Sequence, residues 1–239
     1  RLNSMTKSLV SKVGENVDRF TVGDRIAYST PSGAYREERV LPEDRLVKIP
    51  ENIADEIAAA AMLKGMTVEY LLNRSFKVKP NHKILFHAAA GGVGLIAGQW
   101  LNRIGAESIG TVGSDDKISI DKASCFSHVI NYNTTNFVEE VREITNGSGV
   151  DVAYDSVGQA TYPHTLKCIK RFGLFVSFGQ SSGIIKNITM SDLANNGSLY
   201  AQRPTLFNFI DTWKSLCEVS NNMFNICLLY TSDAADEDC

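Results

Sequence analysis

The sequence predicts an α/β chain built on a doubly wound parallel sheet, and three observations carry that prediction. Short apolar strands alternate with amphipathic helices from residue 79 onwards. One of those strands runs directly into a small-residue turn, Ala88-Ala89-Ala90-Gly91-Gly92-Val93-Gly94, which opens a helix. In that helix Val93, Ile96, Ala97, Trp100 and Ile104 recur at helical spacing and should lay one apolar stripe on the sheet. Alternation of this kind implies right-handed crossovers, hence parallel strands with helices on both faces.

The elements follow in order. Residues 22–47 are short apolar pieces broken by turn formers, as in Val22-Gly23-Asp24 and Pro31-Ser32-Gly33, and read as small strands and turns. The Ala-rich stretch 55–61 reads as a helix with Asp55 and Glu56 in a first turn that suits acids, and 65–73 reads as a second helix. Strands are then expected over 83–88, 108–112, 128–131, 150–155, 174–178 and 198–201, with helices between them. The last would leave an open sheet edge able to pair with a second copy in a homodimer. From residue 228 the sequence changes to an acidic, small-residue string without strand or helix logic, so 227–239 is set apart as a non-native tail.

Composition narrows the function classes. With 44% apolar and 21% charged residues, the chain is neither disordered nor fibrous. Its longest apolar stretches, 57–63 and 84–90, fall well short of the roughly 20 residues a membrane span needs, and 1–8 carries no secretory pattern. Five cysteines, at 125, 168, 217, 227 and 239, are odd in number and without a Cys-x-x-Cys pair, which fits a reducing cytoplasm. A net charge of −3 supplies no basic surface for a phosphate backbone, so nucleic acid is not an expected partner.

The turn 88–94 carries the chemistry. A backbone that must approach a diphosphate closely cannot carry bulky side chains, and free N–H groups at a helix start attract negative charge. Gly91 and Gly92 would allow the approach, while Gly94 would let the helix pack tightly on the strand. The spacing is Ala-x-x-Gly-x-x-Gly, and such turns also arise for packing alone. The strand before and the helix after favour a dinucleotide. An NAD-selective site places an Asp or Glu roughly 20 residues beyond the glycines. Here the second strand ends Thr111-Val112-Gly113-Ser114 with no acid at its tip, and Lys117 and Ser114 can hold a 2′-phosphate, so NADPH is the expected cofactor. Lys117 taken alone reads more often as a solvated surface lysine, and Tyr132 reads equally as a core tyrosine. Asp115 or Asp116 could instead swing toward the ribose, although both suit the start of the next helix.

These residues resemble one family. Phe86-His87-Ala88-Ala89-Ala90-Gly91-Gly92-Val93-Gly94-Leu95-Ile96, Gly110-Thr111-Val112-Gly113, Tyr154-Asp155-Ser156-Val157-Gly158, Val176-Ser177-Phe178-Gly179-Gln180-Ser181-Ser182-Gly183, and Gly197 through Arg203-Pro204 look like the zinc-free quinone oxidoreductase branch of the medium-chain dehydrogenase/reductases. The likeness spans about residues 11–226. It implies a Rossmann NADP-binding domain, 63–226, paired with the remnant of a GroES-like β-rich catalytic domain, 1–62, and NADPH held between the two. It places Gly92 and Val93 on the pyrophosphate, Gly113, Ser114, Lys117 and Tyr132 at the 2′-phosphate, and Thr67 and Tyr70 along the cofactor. Phe178, Gly179, Gln180, Ser181, Arg203 and Pro204 would line the nicotinamide side. It also implies that the chain is truncated at both ends.

The activity implied is transfer of reducing equivalents from NADPH to a quinone. Hydride addition to a quinone yields a delocalised anion that needs little proton help, so no catalytic acid is demanded and none is assigned; Tyr35 could face the cleft but reads more readily as sheet packing. No zinc-ligand spacing occurs, and His82, His87, His128 and His164 are expected singly on strand edges or loops in surface or packing roles. Two other readings share the cofactor site: an enoyl reductase adding hydride to a conjugated carbonyl, and a non-catalytic NADPH-binding protein of crystallin or RNA-binding type.

Overall fold

The computed structural model describes residues 6–29, 33, 36–118 and 125–233, and it divides into two compact units. One takes in the chain up to Tyr70 together with the stretch from Leu206, and the other runs from Leu71 to Thr205. The expected boundaries were 62/63 and 226/227.

The first unit holds an antiparallel sheet of β1 (Thr6–Leu9), β2 (Arg25–Tyr28) and β3 (Val47–Lys48), in that order. Phe20, Ile26, Tyr28 and Leu46 form its small core. Arg25 fastens β2 to the following helix by donating to the Asp55 carboxylate at 2.9 and 2.5 Å and to the Ile53 carbonyl. Tyr35 lies outside the described residues.

Where two helices were expected, there is one. Helix α1 (Asp55–Glu69) runs through Gly65 and widens into a π-helical turn over Tyr70–Ser75, in which the Phe76 N–H reaches back to the Leu71 carbonyl. Gly65 does not open a second helix but is a contact point within the first: a Cβ there would lie 2.7 Å from Cγ of Met223. Met223 belongs to α6 (Trp213–Asp233), which buries Leu216, Val219, Met223 and Phe224 and packs on α1. That packing draws residues 206 onwards into the first unit. Helix α6 also continues through residues 228–233, where no helix was expected; residues 234–239 lie outside the described residues.

The second unit is a six-stranded, wholly parallel sheet. Its strands are β4 (Lys83–His87), β5 (Glu107–Val112), β6 (His128–Asn131), β7 (Val150–Asp155), β8 (Ile169–Ser177) and β9 (Tyr200–Gln202), ordered β6-β5-β4-β7-β8-β9. Ile84, Leu85 and Phe86 of central β4 are all buried although successive side chains point to opposite faces, because helices cover both sides. Each such side chain contributes about 1.5–3 kcal/mol on burial. β8 begins at 169 rather than 174, through a bulge in which Val150 pairs with Ile169 but Val152 with Leu174.

Helices α2 (Gly92–Ile104), α3 (Phe137–Ile144), α4 (Tyr162–Cys168) and α5 (Met190–Asn195) fill the crossovers β4–β5, β6–β7, β7–β8 and β8–β9; the β5–β6 connection includes residues outside the described ones. The buried stripe of α2 is Gly94, Ala97, Gly98, Trp100 and Leu101, rotated from the expected one so that Val93, Ile96 and Ile104 are only half-buried. Gly94 lets the helix start tight against the turn that leaves β4, and α2 ends on Gly105 in the left-handed region, φ 80°.

Candidate dinucleotide site

Renumbered within the sheet, the strand order is 3-2-1-4-5-6, so the topological switch point falls between β4 and β7, and ligands of such sheets bind beyond the carboxyl ends at that point. The chain leaving β4 there makes a tight turn. Ala88 sits in the left-handed region at φ 57°, the Gly91 N–H closes back on the Ala88 carbonyl at 2.9 Å, and α2 begins at Gly92. A non-glycine residue at positive φ costs free energy and tends to mark a functional turn.

The start of α2 fits a diphosphate. No side chain caps it and no acid stands in its first turn. Gly91 is exposed, with Gly92 and Val93 half-buried. The first N–H groups of a helix have no acceptor inside it and point outward with the positive end of its dipole. Gly94 does what its position suggested: a Cβ there would lie 2.1 Å from the Ala89 carbonyl oxygen and 2.6 Å from that of Ala88. Only glycine lets α2 start so close to the turn.

The next two strand ends form a second cluster. A Cβ on Gly113 would meet the Tyr132 hydroxyl at 2.7 Å, so glycine there lets the tyrosine lie against the backbone. Ser114 and Lys117 share one turn, the Lys117 N–H donating to the Ser114 carbonyl at 3.2 Å, with Lys117 exposed and Ser114 half-buried. Thus Gly113, Ser114, Lys117 and Tyr132 gather at the carboxyl ends of β5 and β6. Asp115 is held there as well, accepting from Asn131 Nδ2 at 2.6 Å.

Beyond β7 and β8 the loops are laced together. The N–H groups of Phe178, Ser181 and Ser182 donate to the carbonyls of Asp155, Ser156 and Val157 at 2.9, 3.1 and 2.8 Å. A Cβ on Gly179 would strike the Ser156 backbone at 2.7 Å. Phe178 packs against Phe86, ring centres 5.5 Å apart, while Gln180 and Ser181 are exposed. Arg203 and Pro204 follow β9, with Arg203 Nη1 donating to the Pro204 carbonyl at 2.7 Å. Thr67 and Tyr70 belong to the first unit. There the Thr67 hydroxyl donates to the Leu63 carbonyl at 2.7 Å, and the buried Tyr70 ring stacks on Phe209 at 4.7 Å.

Two features escaped the sequence reading. His87 was expected on an edge or loop, yet it closes the central strand with no exposure, its Nδ1 2.8 Å from Thr111 Oγ1 and its Nε2 2.8 Å from Thr165 Oγ1. Burial holds its pKa below the ordinary histidine value, against the pull of the Asp155 charge. Asp155, equally buried, accepts from the N–H groups of Val157 and Gly158 and from the Thr161 hydroxyl. The other feature is the Asn131–Asp115 pair. Its only sequence signal was a polar residue closing an apolar strand. The remaining histidines are placed singly: His82 accepts from the Lys79 N–H, His128 lies on edge strand β6 near Glu107, and His164 is exposed. Among the described residues no three His, Cys, Asp or Glu side chains gather as a metal ion would require.

Strand order and an uncapped glycine-rich helix start together define a Rossmann dinucleotide-binding domain. Residues 92–219 match the family model described as zinc-binding dehydrogenase. The chain is 46% identical over 226 residues to a quinone oxidoreductase of Salmonella typhimurium, covering 94% of this chain and 69% of that protein. It is 41% identical to a 2-haloacrylate reductase of Burkholderia, covering 91% of this chain and 67% of that protein. The crystal structure of Escherichia coli quinone oxidoreductase complexed with NADPH superposes with a TM-score of 0.91 at 43% identity, covering 95% of this chain and 70% of that one. The chain belongs to the zinc-free quinone oxidoreductase branch of the medium-chain dehydrogenase/reductases.

Proposed function

We propose that the protein binds NADPH and passes its reducing equivalents to a quinone. The observation that carries this reading is the uncapped start of α2 at the switch point of the sheet; relatives named quinone oxidoreductases, one crystallised with NADPH, support it. When bound, NADPH supplies the hydride. The chain's own residues bind and orient it. The N–H groups of Gly92 and Val93 face the pyrophosphate, Gly113 and Ser114 shape the adenosine pocket, and exposed Lys117 offers an ammonium to the 2′-phosphate. Gly179, pressed on the Ser156 backbone, holds Phe178 to Ser181 on the nicotinamide side, and Arg203 and Pro204 close that side. Orientation and exclusion of water are the protein's contribution, with no acid required at the quinone.

A second reading is reduction of an activated alkene, favoured by the 41% identity to the 2-haloacrylate reductase. Both use the same cofactor site. NADPH oxidation measured separately with a quinone and with a conjugated enone or haloacrylate decides between them, and no oxidation with either would overturn the quinone assignment.

We also propose a homodimer through the free edge of β9, where Tyr200 is exposed. Light scattering of the protein and of an Ala201→Pro variant tests it; a monomeric parent refutes it. The proposed setting is the cytoplasm, with nucleic acid not a partner. The acidic balance and scattered thiols support this, and no described helix is long and apolar enough to cross a membrane.

A further inference from the structure

Asp115 stands 21 residues beyond Gly94, close to the spacing of roughly 20 at which NAD-selective sites place the acid that grips the ribose 2′-hydroxyl. An ionised carboxylate only accepts hydrogen bonds, so at that place it favours a hydroxyl and repels a 2′-phosphate. By sequence alone Asp115 lies where it could swing toward the ribose, beside a lysine able to hold a 2′-phosphate.

The geometry resolves the conflict. Asn131, the last residue of β6, is 6% exposed. Its Nδ2 donates to Asp115 Oδ1 at 2.6 Å, while its Oδ1 accepts from the Asn133 N–H at 3.0 Å. Asn133 Nδ2 in turn donates to the Gly113 carbonyl at 2.6 Å, and the Ile118 N–H donates to the Asp115 carbonyl at 2.9 Å. The turn that should hold the 2′-phosphate is thus clasped from β6, and its first acid is drawn onto the end of that strand. We propose that Asn131 determines cofactor specificity by latching the Asp115 carboxylate away from the ribose 2′ position, so that NADPH is preferred to NADH. The inference rests on the nucleotide reading above and adds to it a residue that need not touch the nucleotide.

The test is calorimetric titration of the whole chain with NADPH and with NADH, independent of turnover. Asn131→Ala frees the acid, so the NADPH Kd rises about tenfold while NADH binding tightens. Adding Asp115→Ala to Asn131→Ala removes the freed carboxylate and returns NADPH affinity to within about twofold of the parent. Asp115→Ala alone, taking away an acid already latched, changes the NADPH to NADH ratio by no more than about twofold. Asn131→Asp keeps the acceptor for Asn133 but sets a second carboxylate against Asp115, and lowers the ratio as well. Parallel weakening of both cofactors in Asn131→Ala without recovery in the double variant makes Asn131 a merely structural residue and overturns the proposal. A large gain in NADPH preference from Asp115→Ala alone also overturns it. A parent that prefers NADPH while every variant keeps its ratio sinks only this inference; a parent that binds neither cofactor sinks the nucleotide reading too.

Discussion

Replacing Gly94 by Ala tests the link between packing and cofactor grip most directly. The added Cβ would sit 2.1 Å from the Ala89 carbonyl oxygen, whereas ordinary contact begins near 3.4 Å, so the start of α2 must retreat by about 1.3 Å. The obstacle is backbone, on a turn fixed at one end by β4 and closed by the Gly91 N–H on the Ala88 carbonyl, and no rotamer change relieves it. Overpacking of this kind costs about 1–3 kcal/mol, offset by the roughly 1 kcal/mol that Ala gains over Gly inside a helix. Net destabilisation should be at most about 2 kcal/mol, and the variant still folds. Binding suffers more. The N–H groups of Gly92 and Val93 move with the helix, and each charge-assisted hydrogen bond to a diphosphate is worth about 1.5–3 kcal/mol, so losing one weakens NADPH roughly 10- to 100-fold. Calorimetric titration with NADPH alongside a urea melt separates the two effects. A Gly94→Ala protein that binds NADPH within about twofold of the parent would show that the start of α2 does not hold the diphosphate. Gly91→Ala is the matched control for stability alone: its Cβ comes only to 3.0 Å from the Ala88 oxygen, so the loss in the urea melt should be smaller.

Three other outcomes are expected. His87 is fully buried with its pKa held below the ordinary 6.5, so the unfolded chain takes up this proton first as pH falls; its contribution is therefore intact above about 6.5 and is lost toward the lowered native value, at up to about 1.4 kcal/mol per pH unit. Urea melts across that window should show the slope, and it should flatten in His87→Leu; an unchanged slope in that variant contradicts the account. Lys117→Ala should weaken NADPH about tenfold and leave NADH nearly unchanged, with the difference shrinking at high salt; equal losses for both cofactors would place Lys117 outside the 2′-phosphate site. In the first unit, Gly65→Ala drives a Cβ to 2.7 Å from Cγ of Met223, a flexible neighbour, so the loss should be about 1–2 kcal/mol and Met223→Ala should be less costly in that background than in the parent; strictly additive melting data would mean that α1 and α6 do not pack at that point.

Much of the second unit was legible in the sequence because its signals are local. Strand limits at 128–131 and 150–155 coincide with those observed, and the cradle 88–94 lies between β4 and α2 as its small residues required. The misreadings arose where distant residues decide the outcome. Gly65 was read as opening a second helix, but it lies inside one helix, where its missing side chain makes room for Met223. The stripe of α2 turned toward Leu101, with Gly94 pressed on the turn that leaves β4.

The amino-acid order by itself determined the alternation of strands and helices, the bare turn at 88–94 and a lysine just beyond the second strand, since periodicity, side-chain size and charge act within a few residues of where they are written. Only the tertiary structure decided that residues from 206 rejoin the first unit, that His87 is a buried strand end pinned by Thr111 and Thr165, and that Asp115 is turned onto Asn131. Those are contacts between residues 16 to more than 100 positions apart in the chain, and sequence fixes the partners' identities without fixing their meeting.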